Sequence, residues 1–519
     1  MRIVEDKVLM FETSTPEVII AGIKQSAVME THAGKTKMAV HWGLKESRAL
    51  ASMGSHDVPS PMLRDYQWTG KHKPFEHQKT TSSFLSIRDK AFCFNEQGTG
   101  KTASVIWAAD YLMKLGKVKR VLVLCPLSIM KSAWQQDLFT FAMHRSCSVA
   151  YGDSKTREKV INAGAEFVIL NYDGLAIVKD VVINGGFDLI VVDEANAYKN
   201  PQTNRWKVLR DVAKQVPMLW MMTGTPAAQS PLDAYGLAKL VNPEGCPLYY
   251  GQFRDSVLHK VTQFKWQPKA TAAATVHRVL QPAIRFEKKD CLDLPAVTHI
   301  DREAPLTTQQ TAFYNKLKNS MSFESEGETI TAVNAAVNIN KLLQISGGAV
   351  YTDTGEVLEF DVSNRLNAVL EVIEEASHKV LVFVPFTHTI ALLRAYLEKH
   401  KITCDVINGS VSLNKRSQIV TTFQATPNPK VLIIQPQAAS HGLTLTAADT
   451  IIWYAPTTSV ETYLQANARI DRPGQKHPMT VFNVCGSPVE AHLYDMLQGN
   501  IAHHEKLIDL YRQVLSITP

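Results

Sequence analysis

The chain has 519 residues, 45% of them hydrophobic and 20% charged, and a formal net charge of +6. This composition supports sizeable apolar cores and excludes an intrinsically disordered chain, and the length predicts about two to four domains. The mild basic excess permits a polyanionic partner without requiring one.

Cysteine spacing and hydropathy limit the cellular setting. The seven cysteines are scattered without a CxxC pair, so the sequence predicts neither a zinc site nor a redox pair. No apolar run approaches the roughly 20 residues that a membrane span needs, and the N-terminus lacks the pattern of a secretion signal. We therefore expect a cytoplasmic protein without a membrane partner. The absence of a Lys/Arg cluster favours a bacterial cell or a phage-infected host.

The first 70 residues differ from the rest of the chain. The apolar run Val18, Ile19 and Ile20 suggests a strand, the stretch from Leu44 to Met53 suggests a helix, and the segment VPSPM suggests a loop. We interpret residues 1–70 as a small N-terminal α+β accessory domain.

Two later blocks alternate short apolar, β-branched runs with helical stretches. The runs are VLVLCP (121–126), FVILNY (167–172), FDLIVVDEA (187–195), KVLVFVPF (379–386), KVLIIQP (430–436) and TIIWYAP (450–456). Near-continuous apolar strands are typical of a parallel sheet covered by helices on both faces. The sequence thus predicts two tandem α/β domains. Residues 71–295 form one with a basic insertion, and residues 296–519 form one with a helical insertion and a C-terminal helix over Val489 to Ser516.

A glycine-rich loop, NEQGTGKT, occupies residues 95–102 after the apolar run AFCF. Backbone N–H groups that turn inward to surround phosphate oxygens are expected at Gly98, Thr99 and Gly100. Lys101 is expected to reach the β and γ phosphates of a nucleotide, and the hydroxyl of Thr102 to hold Mg²⁺. Asn95 replaces the first glycine of the usual pattern, and asparagine tolerates a left-handed backbone better than most residues.

An acidic pair, Asp193 and Glu194, ends the apolar run IVV, at the position where open α/β sheets bind their ligands. Asp193 is expected to hold Mg²⁺ through water, and Glu194 to orient and polarise the attacking water. A lone acidic pair is usually a surface feature, but together with a phosphate loop it indicates nucleoside triphosphate hydrolysis.

The second block contributes two arginines, Arg469 and Arg472, in the segment QANARIDRPGQ. One helical turn would aim both guanidinium groups at a common point, and such arginines stabilise the charge on a transferring phosphoryl group. An arginine pair on a helix is otherwise a solvated face. The glutamines and the glycine that flank this pair favour a catalytic role.

Further segments accompany these motifs in a fixed order along the chain. They are FEHQ (75–78), VLVLCPLSIMKSAW (121–134), DEAN (193–196), AYKNPQTNRWKVL (197–209), MMTGTPAAQSPLDAYGLAKLVNP (221–243), IRFEKKDCLDLPAVTHIDREAPLTTQQTAFYNKL (284–317) and HGLTLTAAD (441–449). Over about residues 74–510, this ordered set resembles the superfamily two helicases and, within them, the Swi/Snf family.

The resemblance implies two RecA-like domains that bind ATP and Mg²⁺ in the cleft between them. It implies that Gln78 reads adenine, that Gly442 and Gln465 lie at the nucleotide, and that the arginine pair completes the site. Thr223 and Thr225 would couple the cleft to the nucleic-acid track.

The chain departs from the family pattern at a few positions. Asn196 replaces the His or Gln that in relatives links hydrolysis to nucleic-acid contacts. Ala439 and Ser440 replace a glycine pair, and Thr444 replaces an Asn. None of these changes removes a catalytic charge, so we expect ATP hydrolysis to survive, while its dependence on DNA stays open.

Nucleic-acid contacts are predicted at two further places. The stretch from Ser256 to Phe286 contains no Asp or Glu, and Lys265, Trp266 and Lys269 at its centre are candidates for an added DNA contact. The alternative is a solvated basic segment. The resemblance also places Trp134 near nucleic acid.

The leader that ends at DYQW (65–68) is similar to the leaders of phage-encoded Swi/Snf-like proteins. Residues 1–70 are therefore either a module that selects forked or branched DNA or a structural cap on the first domain.

These features predict an ATP-dependent DNA translocase that remodels duplex, forked or branched DNA in replication, recombination or repair. Replication or recombination proteins are the expected partners, and a monomer suffices because one chain holds both halves of the ATP site. The alternatives are a motor that displaces proteins such as RNA polymerase from DNA, an RNA helicase, and a non-enzymatic DNA-binding scaffold.

Overall fold

The computed structural model describes residues 1–32, 34–55, 57–227, 230–261, 266–292, 294–325, 332–351, 357–439 and 443–499. The chain divides into two compact units, Met1–Cys291 and Leu292–Pro519. The division follows Cys291 rather than residue 295, and the N-terminal segment belongs to the first unit.

The N-terminal segment is a small antiparallel sheet with helices beside it. Its elements are β1 (Arg2–Val4), β2 (Val8–Thr13), α1 (Pro16–Gly22), β3 (Ser26–His32), β4 (Lys35–His41), α2 (Leu44–Ser52) and α3 (Met62–Asp65). The strand order is β1-β2-β4-β3. This arrangement confirms the predicted α+β segment and the helix near Leu44.

The strand expected at Val18 to Ile20 is wrong, because these residues lie in α1. Pro16 occupies the first turn of the helix, where its fixed φ angle favours helix initiation. Ile19 is the buried residue of this helix, and Ile23, which follows the helix as its extended C-cap, also reaches the core of the segment. Helix initiation at Pro16 therefore outweighs the strand preference of the β-branched run.

The rest of the first unit is built around a parallel sheet. Its elements are α4 (Glu76–Ser86), β5 (Lys90–Cys93), α5 (Lys101–Lys114), β6 (Val121–Cys125), α6 (Gln136–Phe141), β7 (Cys147–Ala150), α7 (Ser154–Asn162), β8 (Phe167–Asn171), α8 (Tyr172–Ile177), α9 (Lys179–Ile183), β9 (Leu189–Val192), α10 (Asn204–Ala213), β10 (Met218–Met222), α11 (Asp233–Val241), α12 (Tyr250–Val257), β11 (Leu258–Lys260), β12 (Trp266–Pro268), α13 (Ala272–Val279), β13 (Ala283–Ile284) and α14 (Lys288–Cys291).

Seven strands form this sheet in the order β13-β5-β10-β9-β6-β8-β7, and every pairing is parallel. Each residue of β6 and of β9 is fully buried, and apolar cores cover both faces of the sheet. Hydrophobic burial on two faces explains why the strands have continuous apolar sequences. The parallel strands expected in this block are confirmed.

The predicted basic insertion contains α12, an antiparallel hairpin of β11 and β12, and α13. It lies between α11 and β13, and β13 then adds to the edge of the parallel sheet beside β5. The insertion is thus anchored to the sheet at its C-terminal end.

The second unit contains a second parallel sheet. Its elements are β14 (Val297–Glu303), α15 (Thr308–Ser325), α16 (Ala332–Gly347), β15 (Ala349–Tyr351), β16 (Val357–Glu359), α17 (Ser363–Glu375), β17 (Lys379–Phe383), α18 (Thr387–Lys399), β18 (Cys404–Ile407), α19 (Leu413–Ala425), β19 (Val431–Ile434), α20 (Pro436–Ala439), β20 (Ala448–Trp453), α21 (Val460–Asn467), β21 (Met479–Cys485) and α22 (Pro488–Leu497).

The order of this sheet is β14-β21-β20-β17-β19-β18, again with parallel pairings. Helices α15 and α16 form the expected helical insertion and have an apolar core of their own. The predicted C-terminal helix is α22 over Pro488–Leu497, and residues 500–519 lie outside the described residues. None of the helices in the described ranges is long and apolar enough to cross a membrane.

Candidate nucleotide site

The phosphate loop joins β5 to α5 at the carboxyl edge of the first sheet. Gly98 and Gly100 have φ angles of +84° and +78°, a left-handed conformation that glycine adopts at little cost. Gly100 is the N-cap of α5, and Lys101 is the first residue of that helix. The N–H groups of the loop and of the helix start therefore lie at the end of the sheet, where they suit an anion.

The ammonium group of Lys101 is turned into the loop. Its Nζ donates to the backbone oxygen of Glu96 at 3.1 Å and lies 3.5 Å from Oε1 of Gln97. Lys101 is only 8% exposed. Phosphate oxygens would replace these uncharged acceptors, because a charged acceptor makes the stronger hydrogen bond. Thr102 follows in the first turn of α5.

Gln78 and His77 hold the phosphate loop from the side of α4. Gln78 donates through Nε2 to the backbone oxygen of Thr99 at 3.1 Å, and its Oε1 accepts from the N–H of Phe75 at 3.0 Å. His77 Nε2 lies 2.8 Å from the same Thr99 oxygen. A Cβ atom on Gly100 would lie 2.1 Å from Gln78 Nε2. This side chain thus contacts the phosphate loop directly, and Gly100 is required for space as well as for its φ angle.

Asn95 has a role that the sequence did not indicate. Its φ angle is not positive, so this position does not require the left-handed backbone that asparagine tolerates. Its amide instead accepts from the N–H of Phe286 at 3.0 Å and donates to Thr81 Oγ1 at 2.8 Å. The adjacent Glu96 accepts from the N–H of Lys288 at 2.9 Å. These two side chains fasten the phosphate loop to the segment that leads to the end of the first unit.

The acidic pair follows β9, and β10 alone separates β9 from β5 in the sheet. Asp193 is 8% exposed, and its Oδ1 accepts from the backbone N–H of Glu194 at 2.9 Å. Burial raises the pKa of the Asp193 carboxyl, while a hydrogen bond from Trp134 and the positive charge of Lys101 oppose that rise. The structure therefore brings the phosphate-loop lysine and the acidic pair into one electrostatic site.

Glu194 has φ +46° and ψ +57°, a left-handed conformation that is uncommon for a residue with a side chain. The hydroxyl of Tyr172 donates to the backbone oxygen of Asp193 at 2.5 Å and lies 3.4 Å from the backbone oxygen of Glu194. Strained backbone of this kind is typical of functional sites. Sequence reasoning missed Tyr172, whose position at the start of α8 gave no signal of this contact.

The placement of Trp134 corrects its assignment to nucleic acid. Its side chain is 0% exposed, and its Nε1 donates to Asp193 Oδ2 at 2.9 Å. A side chain without accessible surface cannot stack on a base. Trp134 therefore contacts Asp193 of the candidate nucleotide site. The order of the motifs along the chain did not indicate this hydrogen bond.

The residues expected to couple the site to nucleic acid lie together. Thr223 follows β10, is fully buried, and accepts through Oγ1 from the N–H of Thr225 at 3.3 Å. Asn196 follows the acidic pair and donates to the backbone oxygen of Thr225 at 3.0 Å. A hydrogen bond thus joins the loops that follow two neighbouring strands.

In the second unit, Arg469 and Arg472 do not share a helical turn, because α21 ends at Asn467. Arg469 is 2% exposed and its Nη1 lies 3.4 Å from the backbone oxygen of Leu443. Arg472 donates through Nε to the backbone oxygen of Ala468 at 2.7 Å. The two residues follow the helix in a turn, and Arg472 precedes Pro473, a position that disfavours helix.

Gln465 lies in α21 and is 4% exposed, and its Nε2 lies 3.3 Å from Oε1 of Glu461. Gly442 and Ser440 lie outside the described residues.

In the basic insertion, Trp266 packs against the apolar core, and the guanidinium of Arg254 lies over its ring at 4.4 Å. Lys269 is exposed and donates to the backbone oxygen of Asp255 at 2.5 Å. Lys265 lies outside the described residues. Of the three residues proposed for the added DNA contact, the structure thus leaves Lys269 on the surface and gives Trp266 a packing role.

Comparison with known proteins identifies the family. The SNF2-related domain matches residues 77–359, and the helicase conserved C-terminal domain matches residues 364–474. A mouse relative, chromodomain-helicase-DNA-binding protein 1-like, is 26% identical over 412 residues, which cover 76% of this chain and 45% of that protein. Protein p41 of Acyrthosiphon pisum secondary endosymbiont phage 1 is 23% identical over 436 residues, which cover 79% of this chain and 92% of that protein.

Among solved structures, the Sulfolobus solfataricus SWI2/SNF2 ATPase core in complex with dsDNA is 22% identical, with a TM-score of 0.41 over 87% of this chain and 99% of that chain. The chain spans less than half the length of the chromodomain-helicase relatives that it matches. The match to the SNF2-related domain covers more than half of the chain, so this chain belongs to the SNF2-related family.

Proposed function

We propose that the chain is an ATP-driven motor that moves along duplex DNA. The observation that carries this proposal is the site in the first unit. Lys101 and the Asp193–Glu194 pair follow strands of one parallel sheet, and the charge of Lys101 acts on the Asp193 carboxyl. A non-enzymatic scaffold would not need a buried carboxylate and a strained glutamate beside a phosphate loop.

The residues of the first unit have distinct roles in hydrolysis. The N–H groups from Gly98 to Thr102 bind the phosphates, and Lys101 moves from the oxygen of Glu96 to the β and γ phosphates. Glu194 orients the attacking water. The oxygen ligands of Asp193 and Thr102 are of the kind that Mg²⁺ prefers. Bound there, Mg²⁺ would neutralise charge on the phosphates.

Arg469 and Arg472 are proposed as the arginines that stabilise charge on the transferring phosphoryl group. Arg472 is partly exposed whereas Arg469 is buried, so Arg472 is the more accessible of the two to a bound nucleotide. Gln78 is proposed to read adenine. Its hydrogen bond to the backbone oxygen of Thr99 would link adenine binding to the phosphate loop.

Duplex DNA is the proposed track, because the similar proteins are chromodomain-helicase-DNA-binding proteins and a core solved with dsDNA. We expect contacts mainly with the phosphate backbone, which tolerate any sequence and weaken steeply with salt. Forked or branched DNA is the proposed preferred substrate, with replication or recombination proteins as partners and a monomer as the active form.

The match to the phage protein p41 covers 92% of that protein and 79% of this chain. A motor that displaces proteins such as RNA polymerase is the second candidate.

The test is ATP hydrolysis by the purified protein without nucleic acid and with duplex DNA, single-stranded DNA, forked DNA and RNA. We expect duplex or forked DNA to stimulate hydrolysis most, and Lys101→Ala to abolish it. Stimulation by RNA alone would identify an RNA helicase instead. Hydrolysis that no nucleic acid stimulates would contradict the motor and direct attention to a protein partner.

A further inference from the structure

Trp134 forms a side-chain contact with the acidic pair that the mechanism above does not use. Its indole Nε1 donates to Oδ2 of Asp193 at 2.9 Å, while the N–H of Glu194 donates to Oδ1 at 2.9 Å. The carboxylate is therefore held at both oxygens, and rotation about its last side-chain bond is blocked. A carboxylate offers about four lone-pair positions, so acceptor capacity remains for a bound cation or its water.

The local fold sets the direction of the indole N–H. After β6 the chain forms a short 3₁₀ turn over Leu127–Ile129 and then a π-helix over Met130–Gln135. π-helical turns are rare and occur frequently at functional sites. Because β6 pairs with β9, this wide turn lies beside the strand end that carries Asp193.

Packing holds the ring in that direction. Trp134 is 0% exposed and belongs to the apolar core on one face of the sheet. An indole nitrogen only donates, and a buried indole N–H needs an acceptor. The ring cannot turn away without leaving the N–H unpaired in the core, which makes the hydrogen bond to Asp193 persistent.

We propose that Trp134 is a positioning residue for ATP hydrolysis, which fixes the carboxylate of Asp193 in the orientation that Mg²⁺–ATP requires. This inference rests on the hydrolysis proposed above. A residue that orients a metal ligand through a hydrogen bond typically changes metal affinity or activity by roughly 10- to 100-fold when it is replaced.

The chain offers a matched control for the loss of one indole N–H. Trp220 is also 0% exposed and belongs to the same apolar core. Its Nε1 donates at 3.0 Å to the backbone oxygen of Arg88, which precedes β5. Trp220→Phe therefore removes a buried indole N–H whose acceptor lies at the amino edge of the sheet, whereas Asp193 lies at the carboxyl edge.

The experiment measures binding of a non-hydrolysable ATP analogue to Trp134→Phe, Trp220→Phe and the natural protein over a series of Mg²⁺ concentrations and in EDTA. We expect Trp134→Phe to raise the Mg²⁺ concentration for half-maximal binding roughly tenfold, with unchanged binding in EDTA. Trp220→Phe should leave both the Mg²⁺ dependence and the binding in EDTA unchanged. Equal behaviour of the two variants would overturn the inference.

A second measurement does not depend on the folding of Trp134→Phe. The eight tryptophans each give an indole ¹⁵N–H resonance. We expect one of them to shift in Asp193→Asn and on addition of Mg²⁺ with the analogue, while the Trp220 resonance does not. If no indole resonance responds to Asp193→Asn, the contact does not exist in solution.

The two proposals can fail separately. If the natural protein hydrolyses no ATP with any nucleic acid, the motor is rejected. The binding and resonance measurements then still decide whether Trp134 positions Asp193.

Discussion

Asn196 donates a hydrogen bond from Nδ2 to the backbone oxygen of Thr225 at 3.0 Å, and the same nitrogen lies 3.3 Å from Thr225 Oγ1. Asn196 belongs to the 3₁₀ turn Ala195–Tyr198 that follows the acidic pair, and Thr225 follows the neighbouring strand β10. The contact therefore links the turn that follows Glu194, the residue proposed to activate water, to the loop proposed to sense DNA.

Replacement of Asn196 by alanine should separate hydrolysis from its stimulation. We expect Asn196→Ala to lower duplex-stimulated hydrolysis about tenfold, because it removes one part-buried hydrogen bond of roughly 1.4 kcal/mol between the two loops. Hydrolysis without DNA should change by less than about twofold, because it does not depend on the link to the loop proposed to sense DNA. Asn200→Ala is the control, since Asn200 is exposed in the same loop. An equal loss of basal and stimulated rates would instead assign Asn196 to the chemical step.

The hydroxyl of Tyr172 should be needed for the left-handed backbone at Glu194. Tyr172→Phe removes the donor to the oxygen of Asp193, so we expect kcat to fall about tenfold with little change in KM for ATP. Stability should fall by only about 1 kcal/mol. Tyr235→Phe is the matched control, because that hydroxyl donates to the backbone oxygen of Leu248 at 2.8 Å, away from the site. Equal kcat values for the two variants would contradict the prediction.

The features that could be predicted from the sequence are those carried by contiguous residues. The phosphate loop needs two glycines, a lysine and a threonine in one short segment, and the acidic pair needs only the strand before it. The continuous apolar runs predicted the parallel strands, because burial on both faces of a sheet removes the usual alternation.

The features that could not be predicted depend on register and packing between distant segments. Trp134 and Asp193 meet because β6 and β9 are neighbours and a π-helix turns the indole inward. The run at Val18 to Ile20 favours a strand by composition, yet it lies in a helix that begins at Pro16 and buries Ile19 in the core of the segment. Only partial evidence in the sequence indicated that α21 ends before Arg469, namely the proline that follows Arg472 and disfavours a helix there.

Asp110 should control the stability of the first unit at low pH. It lies in α5, its side chain is 0% exposed, and it accepts from Tyr66 Oη at 2.6 Å, His144 Nε2 at 2.8 Å and Arg145 Nε at 2.7 Å. Burial raises the pKa of Asp110, but the hydrogen bonds from Tyr66, Arg145 and His144 outweigh it, so the pKa lies below its usual value.

We expect Asp110→Asn to lower the free energy of unfolding by about 3–5 kcal/mol at neutral pH. Because the folded pKa is depressed, this contribution is complete above the unfolded pKa and is lost as pH falls through the folded value. The difference from the natural protein should be constant between about pH 5 and 7 and shrink below about pH 4. Urea unfolding over this range is the measurement. Asp173→Asn is the control, since the carboxylate in its pair with Arg205 is exposed; a similar pH dependence in that variant would argue against the assignment.

Charge reversal in the basic insertion should test the added DNA contact. We expect Lys269→Glu combined with Lys265→Glu to weaken duplex binding and to reduce the slope of log K against log salt by about 0.9 for each phosphate that the insertion no longer neutralises. Lys214→Glu is the control, because Lys214 is exposed before β10, at the amino edge of the sheet. An unchanged slope would leave this segment as a solvated basic surface.

Removal of residues 1–59 should show whether the N-terminal segment selects DNA. The segment has its own sheet and its own apolar core. Ile87, which follows α4 and lies outside the segment, also packs in this core. Ser60 donates through its N–H to Ser83 Oγ at 3.0 Å and accepts from Ser86 Oγ at 2.8 Å. A cut before Ser60 therefore keeps the contacts with α4.

Deletion exposes Ile87, which is 1% exposed in the full chain, so the truncated protein should carry Ile87→Ser to limit aggregation. We expect a folded ATPase that linear duplex DNA still stimulates, with a ratio of forked to linear stimulation close to one. The full chain carrying Ile87→Ser is the control for that substitution. Insoluble truncated protein would show that the segment is a structural cap, because the first sheet would then depend on it. A soluble protein with an unchanged preference for forks would place the recognition of branched DNA in the two parallel-sheet units.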